Sequence, residues 1–208
     1  MSQVSEYTSA HQLMKSGKTE DAEKALQKLI KEDTFESAKA RMTLAQLYLD
    51  LKRFTEAEEL LRQETERLLS KERKCEIAGI YLQLADAAAK PAGDPHGIEK
   101  KADFGKALSL YDYLLQMDLP KELRGQILIK KGKTALDGKN YVKAANAYLS
   151  YLGLFDPIYI SEVQGRQPGG SEMVSMGEKV VEARLNLVKA KLLEASALPS
   201  HKSTDEIS

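Results

Sequence analysis

The chain has 208 residues, with 31 Lys or Arg against 31 Asp or Glu, so its formal net charge is zero. A dedicated nucleic-acid binder usually carries a basic excess, and the balanced charge therefore argues against nucleic acid as a partner. With 42% apolar and 30% charged residues, the composition is that of a packed protein rather than a disordered one.

The predicted elements are all helices, because apolar residues recur at helical spacing along almost the whole chain. Breaks such as Gly17-Lys18 separate them, and Thr19 is a candidate N-cap for the second. Nine helices are predicted, over residues 3–16, 19–32, 35–51, 55–70, 73–90, 103–117, 121–137, 141–153 and 172–195.

Two stretches are predicted to be non-helical because they are rich in Pro and Gly. Residues 91–97 are the first of them, and residues 91–101 are expected to form an exposed loop between the fifth and sixth helices, outside the regular stack. Residues 156–170 are expected to connect the eighth and ninth helices, and the β-branched and aromatic residues 158–160 favour a short extended segment there. The tail, 196–208, is polar and is expected to fray.

Small residues repeat at a regular interval along the first eight helices. An alanine stands early in the second helix of each of four pairs, at Ala22, Ala57, Ala107 and Ala144. A further small residue stands twelve positions before three of them, at Ala10, Ala45 and Gly132. In the third unit the interval from Ala85 to Ala107 is 22 residues, so ten extra residues are expected in the loop around 91–97.

Large apolar residues follow each of these alanines at i+4 and, with one exception, at i+7. In the second unit Leu61 is followed by Glu64 in place of an apolar residue. Small residues allow two antiparallel helices to approach closely, and the large ones fill the groove between adjacent pairs. One pair cannot bury its apolar face alone, so several pairs must stack.

These residues resemble the tetratricopeptide repeat family of 34-residue helix–turn–helix units. The first unit departs from the pattern, with Thr19 at the aromatic place and Thr34 at the closing proline, and the third is interrupted by its insertion. The fourth unit carries Gly132, Ala135, Tyr141, Ala144, Tyr148 and Asp156-Pro157. The second carries Leu44, Ala45, Tyr48, Phe54, Ala57 and Leu61.

The resemblance covers about residues 3–157 and implies an all-α, right-handed α-solenoid of about four helix-turn-helix repeats plus a C-terminal capping helix. We expect a single domain over residues 1–195, followed by a flexible tail at 196–208. The repeats are expected at about 3–34, 38–70, 73–119 and 121–157, with the capping helix at 172–195.

Nothing in the sequence nominates catalytic chemistry, a cofactor or a metal. The three histidines, His11, His96 and His201, are far apart and form no metal-ligand spacing. Cys75 lies among basic residues, which can activate a thiol, but no general base is placed beside it, and a half-buried structural thiol is expected. We therefore predict that the chain is not an enzyme.

The resemblance implies that the first helix of each pair lines an inner, concave face that binds a protein or peptide partner. The resemblance does not extend to the subgroup of the family that binds a carboxylate of its partner, because the corresponding positions in this chain lack the cationic residues needed. An extended or helical peptide with apolar side chains is the expected partner. The expected partner-binding residues are Tyr7, His11, Met42, Gln46, Leu82, Asp86, Ile129 and Lys133.

An alternative function is that of an accessory or assembly domain in a larger enzyme or in a secreted or periplasmic multidomain protein. No stretch approaches the roughly 20 apolar residues that span a bilayer, so we expect no membrane insertion. Residues 1–15 lack the apolar core of a signal peptide. A cytoplasmic location is expected, and a periplasmic or secreted one stays open if a signal peptide has been removed.

The ninth predicted helix carries two apolar stripes, which is more than one surface contact needs. One stripe is expected to cover the end of the fourth pair, and the other then needs a partner. We expect that the chain continues into another repeat, self-associates through the 172–195 helix, or folds residues 158–170 over the second stripe. The stripes are Val181, Leu185, Val188, Leu192 and Ala195, and Val180, Ala183, Leu187 and Ala190.

Overall fold

The computed structural model of the chain describes residues 6–33, 36–67, 70–93, 99–166 and 177–197. Within them it contains ten helices and two short strands. The first eight helices form four consecutive pairs, each packed on the next. The helices are α1 Glu6–Lys15, α2 Thr19–Lys31, α3 Ser37–Asp50, α4 Phe54–Thr65, α5 Lys71–Ala88, α6 Phe104–Gln116, α7 Lys121–Asp137, α8 Tyr141–Phe155, α9 Pro157–Val163 and α10 Glu178–Ala197; the strands are β1 Ala92–Gly93 and β2 Glu99–Lys100.

The small residues predicted to sit at helix crossings are buried there. Gly132 of α7 faces the ring of Tyr148 on α8 so closely that an added Cβ would lie 2.6 Å from the ring. The phase of the repeat read from the sequence is therefore confirmed by the packing. All seven alanines at the predicted small-residue positions have no exposed surface: Ala10, Ala22, Ala45, Ala57, Ala85, Ala107 and Ala144.

The turn inside the first, second and fourth pairs has one shared geometry. In each, the amide of the residue before the second helix donates a hydrogen bond to the carbonyl five residues earlier. This bond closes a short turn that contains one residue with positive φ. The bonds are Lys18 to Leu13 (3.0 Å), Arg53 to Tyr48 (2.7 Å) and Asn140 to Ala135 (2.7 Å). The residues with positive φ just before the second helix are Gly17 (76°), Lys52 (59°) and Lys139 (56°).

The third pair keeps the same closing bond across a longer connection. The amide of Asp103 donates to the carbonyl of Ala88 at 2.7 Å, fifteen residues back, so ten residues are added between two ends that still meet. This confirms the predicted insertion. Antiparallel strands β1 and β2 pair at its base, which the sequence did not predict, and residues 94–98 of the predicted loop lie outside the described residues.

The prediction that residues 158–160 are extended is wrong, because they lie in the helix α9. The Asp156 carboxylate accepts hydrogen bonds from the amides of Ile158 (3.0 Å) and Tyr159 (3.2 Å), and Pro157 occupies the first helical turn. An aspartate N-cap followed by proline is a strong helix start, and it outweighs the β-branched residues. Arg184 of α10 binds the same carboxylate at 2.6 Å.

The last helix, α10, packs on α8 with one of its two apolar stripes. The stripe through Val180, Ala183 and Ala190 is buried, with Leu187 half-buried beside it. The described part of α10 begins at Glu178, so the predicted start at 172 and the residues from 198 onward lie outside the described residues. No helix of the described residues is long and apolar enough to cross a membrane.

Candidate partner-binding surface

The first helices of the pairs form one surface, which we call the first-helix face. We define it by the polar contacts that link the side chains of successive helices. Its contacts run from α1 through α3, α5 and α7 to α10. They are Tyr7 Oη to Thr43 Oγ1 (2.9 Å), Gln46 Nε2 to Gln83 Oε1 (3.3 Å), Lys130 Nζ to Asp86 Oδ2 (2.5 Å) and Lys133 Nζ to Glu182 Oε1 (2.8 Å). Side chains of successive helices therefore meet along this whole face.

Four of the predicted partner-binding residues gather at the N-terminal end of the first-helix face. They border an open depression of about 480 Å³, which we call the N-terminal depression. The ring centroids of Tyr7 and His11 lie 6.4 Å apart. Met42 is only 8% exposed, so it forms the floor rather than a free contact. The lining residues are Tyr7, His11, Met14, Lys39, Met42, Thr43, Gln46, Arg73 and Glu76.

A second open depression, of about 590 Å³, lies at the other end of the face and is called the C-terminal depression. Two of the predicted residues, Ile129 and Lys133, border it. The side chains of Tyr151 and Phe155 stack at 4.8 Å between centroids and supply much of its apolar lining. The lining residues are Glu122, Gly125, Gln126, Ile129, Lys130, Lys133, Tyr151, Phe155, Lys179 and Glu182.

The aromatic residues of the C-terminal depression come from the second helix α8, and sequence reasoning missed them. They reach the first-helix face because α7 has a glycine at the crossing, where a Cβ on Gly125 would lie 2.5 Å from the ring of Phe155. The ammonium of Lys121 lies 4.9 Å from the centre of the same ring. The sequence signal was present in the i, i+4 spacing of Tyr151 and Phe155 and in the extra glycine of α7.

The two remaining predicted residues make internal contacts between the depressions. Leu82 is 9% exposed and belongs to the core. Asp86 accepts a hydrogen bond from the hydroxyl of Tyr111 at 2.8 Å, and it forms an ion pair with Lys130. Burial raises the pKa of Tyr111, and the Asp86 carboxylate raises it further, so this hydroxyl stays a donor. Asp86 thus ties α5 to α6 and α7.

The described residues bring no group of three or more His, Cys, Asp or Glu together in a way that could hold a metal ion. Cys75, near the start of α5, is a half-buried free thiol. The arrangement along the first-helix face is one of apolar patches with charged rims. Such a surface has the composition of a protein-binding patch, an apolar core surrounded by polar groups.

The fold and surface together define an all-α helical-repeat protein. Residues 7–68, which include the first two helix pairs, match the model of the tetratricopeptide repeat family. This match confirms the resemblance to tetratricopeptide repeats for the first two pairs. A search of curated proteins found no match.

Proposed function

We propose that this chain is a non-catalytic scaffold whose first-helix face binds a peptide segment of a protein partner. Tetratricopeptide repeats generally mediate protein–protein interactions, and the family is typically non-catalytic. The observation that carries the proposal is the C-terminal depression, where Ile129, Tyr151 and Phe155 form an apolar lining inside a charged rim. Aromatic residues in such pockets supply a large share of binding energy at protein interfaces.

The polar contacts along the face support the same proposal. Gln46 is held by Asp50 (3.0 Å) and Gln83, and Lys130 by Asp86, before any partner arrives. Side chains that are already ordered lose less conformational entropy on binding. The face is therefore preorganised between its two depressions. An elongated peptide, with apolar side chains spaced to reach both, fits this arrangement better than a compact ligand.

The test is a selection of peptides from a displayed random library on the whole chain, followed by calorimetry with variants. The face variants are His11→Ala, Gln126→Ala and Lys133→Ala, all of exposed residues, so that folding is preserved. The matched controls are Lys24→Ala on α2 and Lys143→Ala on α8, also exposed but on second helices.

We expect at least one face variant to raise the Kd about tenfold, which corresponds to about 1.4 kcal/mol, and both controls to stay within about twofold of the unmodified chain. Met42→Glu is unsuited to this test, because Met42 is buried and a carboxylate there lowers stability. Selected peptides that bind all face variants as tightly as the unmodified chain would move the site to another surface. A selection that yields no peptide would also overturn the proposal.

An assembly role is the second candidate, and one observation favours it. The outward side of α10 keeps an apolar stripe that no other described element covers, with Leu185 66% exposed. A surface of this kind is typical of contacts between proteins rather than of a free helix.

A further inference from the structure

The outward side of α10 exposes four large apolar side chains in a row. Their exposed fractions are 42% for Val181, 66% for Leu185, 57% for Val188 and 64% for Leu192. The other stripe of the same helix is packed on α8. The part of residues 158–170 that the structure describes, 158–166, leaves this outward stripe uncovered. A cap of the repeat stack needs only one apolar stripe, so among the described residues the second stripe is left free for a further partner.

The spacing of the stripe suits a second helix as its partner. The steps from Val181 to Leu185, Val188 and Leu192 are four, three and four residues, the alternation of the a and d positions of a heptad. A heptad stripe matches another helix with the same period, because a and d side chains then fill the holes of the facing helix. A second helix of the same period can therefore pack along the whole stripe.

We propose that α10 pairs with α10 of a second copy of this chain, in an antiparallel arrangement about a two-fold axis. In this register Val181 faces Leu192 of the second copy, and Leu185 faces Val188. One axis, level with the middle of the stripe, produces all four apolar layers at once. The stripe is therefore complementary to itself, as a symmetric dimer interface must be.

The flanking charges favour the antiparallel orientation. They place Glu182 of each copy beside Lys189 of the other, so two attractive pairs form. A parallel pairing would instead place Arg184 beside Lys189, and both contacts would repel. The antiparallel pairing also brings Arg184 near Lys191.

Both of the cations that approach each other are already paired within their own chain. Arg184 binds Asp156 at 2.6 Å, and Lys191 binds Glu194 at 3.0 Å. Glu182 contacts Lys133 at 2.8 Å, and its second oxygen stays available to accept from Lys189 of the second copy. The charges along α10 therefore suit a copy of the same helix.

The predicted interface is short, which sets the strength of the association. From Val181 to Leu192 the stripe is about 16 Å long, at about 1.5 Å per residue. A contact of this size lies at the small end of specific interfaces. Small interfaces are typical of weak, transient complexes, so we expect a dissociation constant in the micromolar range, and the association has to be measured over a range of concentrations.

The experiment is sedimentation velocity of the whole chain from about 1 to about 300 µM, spanning the expected constant. We expect a concentration-dependent shift from monomer to dimer. Leu185→Glu places two carboxylates in the apolar seam and should weaken the dimer at least about a hundredfold. The matched control is Leu51→Glu, an apolar residue with 41% exposure in the turn after α3, which should leave the constant within about twofold. Circular dichroism confirms that both variants keep their helices.

Lys189→Glu tests the orientation. In the antiparallel dimer the new carboxylate faces Glu182 and should weaken association about tenfold at low salt, whereas in a parallel dimer it would face Arg184 and strengthen it. A monomer at every concentration would overturn the proposal and leave a different protein or a continuing chain as the occupant. A dimer that resists Leu185→Glu would overturn it as well, and a dimer strengthened by Lys189→Glu would overturn the antiparallel arrangement.

Discussion

Arg41 and Glu64 form a buried salt bridge inside the second helix pair. Arg41 Nε lies 2.6 Å from Glu64 Oε2, and the two residues are 4% and 2% exposed. Glu64 occupies the place where the other repeats have a large apolar residue. Arg73 of the next pair also reaches this carboxylate, at 3.4 Å, and the carbonyl of Ala38. A core position has thus been converted into an ionic contact between two repeats.

Replacing one partner of this salt bridge should destabilise the protein strongly. Glu64→Leu leaves Arg41 buried without its counter-ion, which costs typically about 3–5 kcal/mol. The double variant Arg41→Met with Glu64→Leu removes both charges and should recover most of that loss. Urea denaturation measures the free energy of unfolding of each. A single variant as stable as the unmodified chain would show that solvent reaches this carboxylate.

The close contact of Gly132 with Tyr148 predicts opposite effects for two glycine-to-alanine substitutions. Gly132→Ala places a methyl group against a ring that is fully buried, so we expect a loss of about 1–3 kcal/mol. The control is Gly79→Ala in α5, where a Cβ meets nothing within 4 Å. Alanine there should stabilise the helix by about 0.5–1 kcal/mol. Stabilisation by both substitutions would mean that α7 and α8 are less closely packed than described.

The insertion in the third pair should be removable. Because Asp103 already bonds to Ala88, deleting residues 91–100 leaves a connection of the same length as in the other pairs. Ala102→Gly is added, since that position has positive φ in the other turns. The free energy of unfolding should change by less than about 1 kcal/mol, because loop length contributes weakly. The control is Ala102→Gly in the full chain. If the deletion alone lowered the free energy of unfolding by more than about 3 kcal/mol, the hairpin would be part of the folding core.

Asp156 should make stability depend on pH in the acid range. Burial by itself raises the pKa of this carboxyl, but the Arg184 guanidinium and the amides of α9 outweigh it and hold the pKa below its ordinary value. Its stabilisation is therefore fully present above the unfolded pKa of about 3.9 and is lost as pH falls through the lower folded pKa.

The variant Asp156→Asn should be less stable than the unmodified chain at pH 7 by about 1–2 kcal/mol, with solvent screening of the partly exposed Arg184 taken into account. That difference should shrink as the pH is lowered from about 4 to about 2. Thermal denaturation across this range measures it. Asp118→Asn, at an exposed aspartate, is the control. A constant difference between the two chains at all pH values would show that the ion pair does not contribute.

The sequence by itself determined the helical class, the helix pairs and their register. This was possible because the spacing of alanines such as Ala57 and Ala144 reports directly on close helix crossings, and because a ten-residue change in that spacing reveals an insertion. The two apolar stripes of the last helix were also visible, since a helical period fixes which residues share a side. These are local or periodic properties, and they can be recognised from the order of the residues along the chain.

Only the tertiary structure decided which contacts are made by the residues that depart from the repeat pattern. Glu64 is a misfit in the sequence, and its burial depends on Arg41 and Arg73, which reach it from other helices. Residues 158–160 have extended-chain preferences, but Asp156 caps them as a helix while Arg184, 28 residues away, holds its carboxylate. The aromatic lining of the C-terminal depression exists because Gly125 admits the ring of Phe155. Each of these depends on a contact between distant residues, and periodicity along one chain carries no information about such contacts.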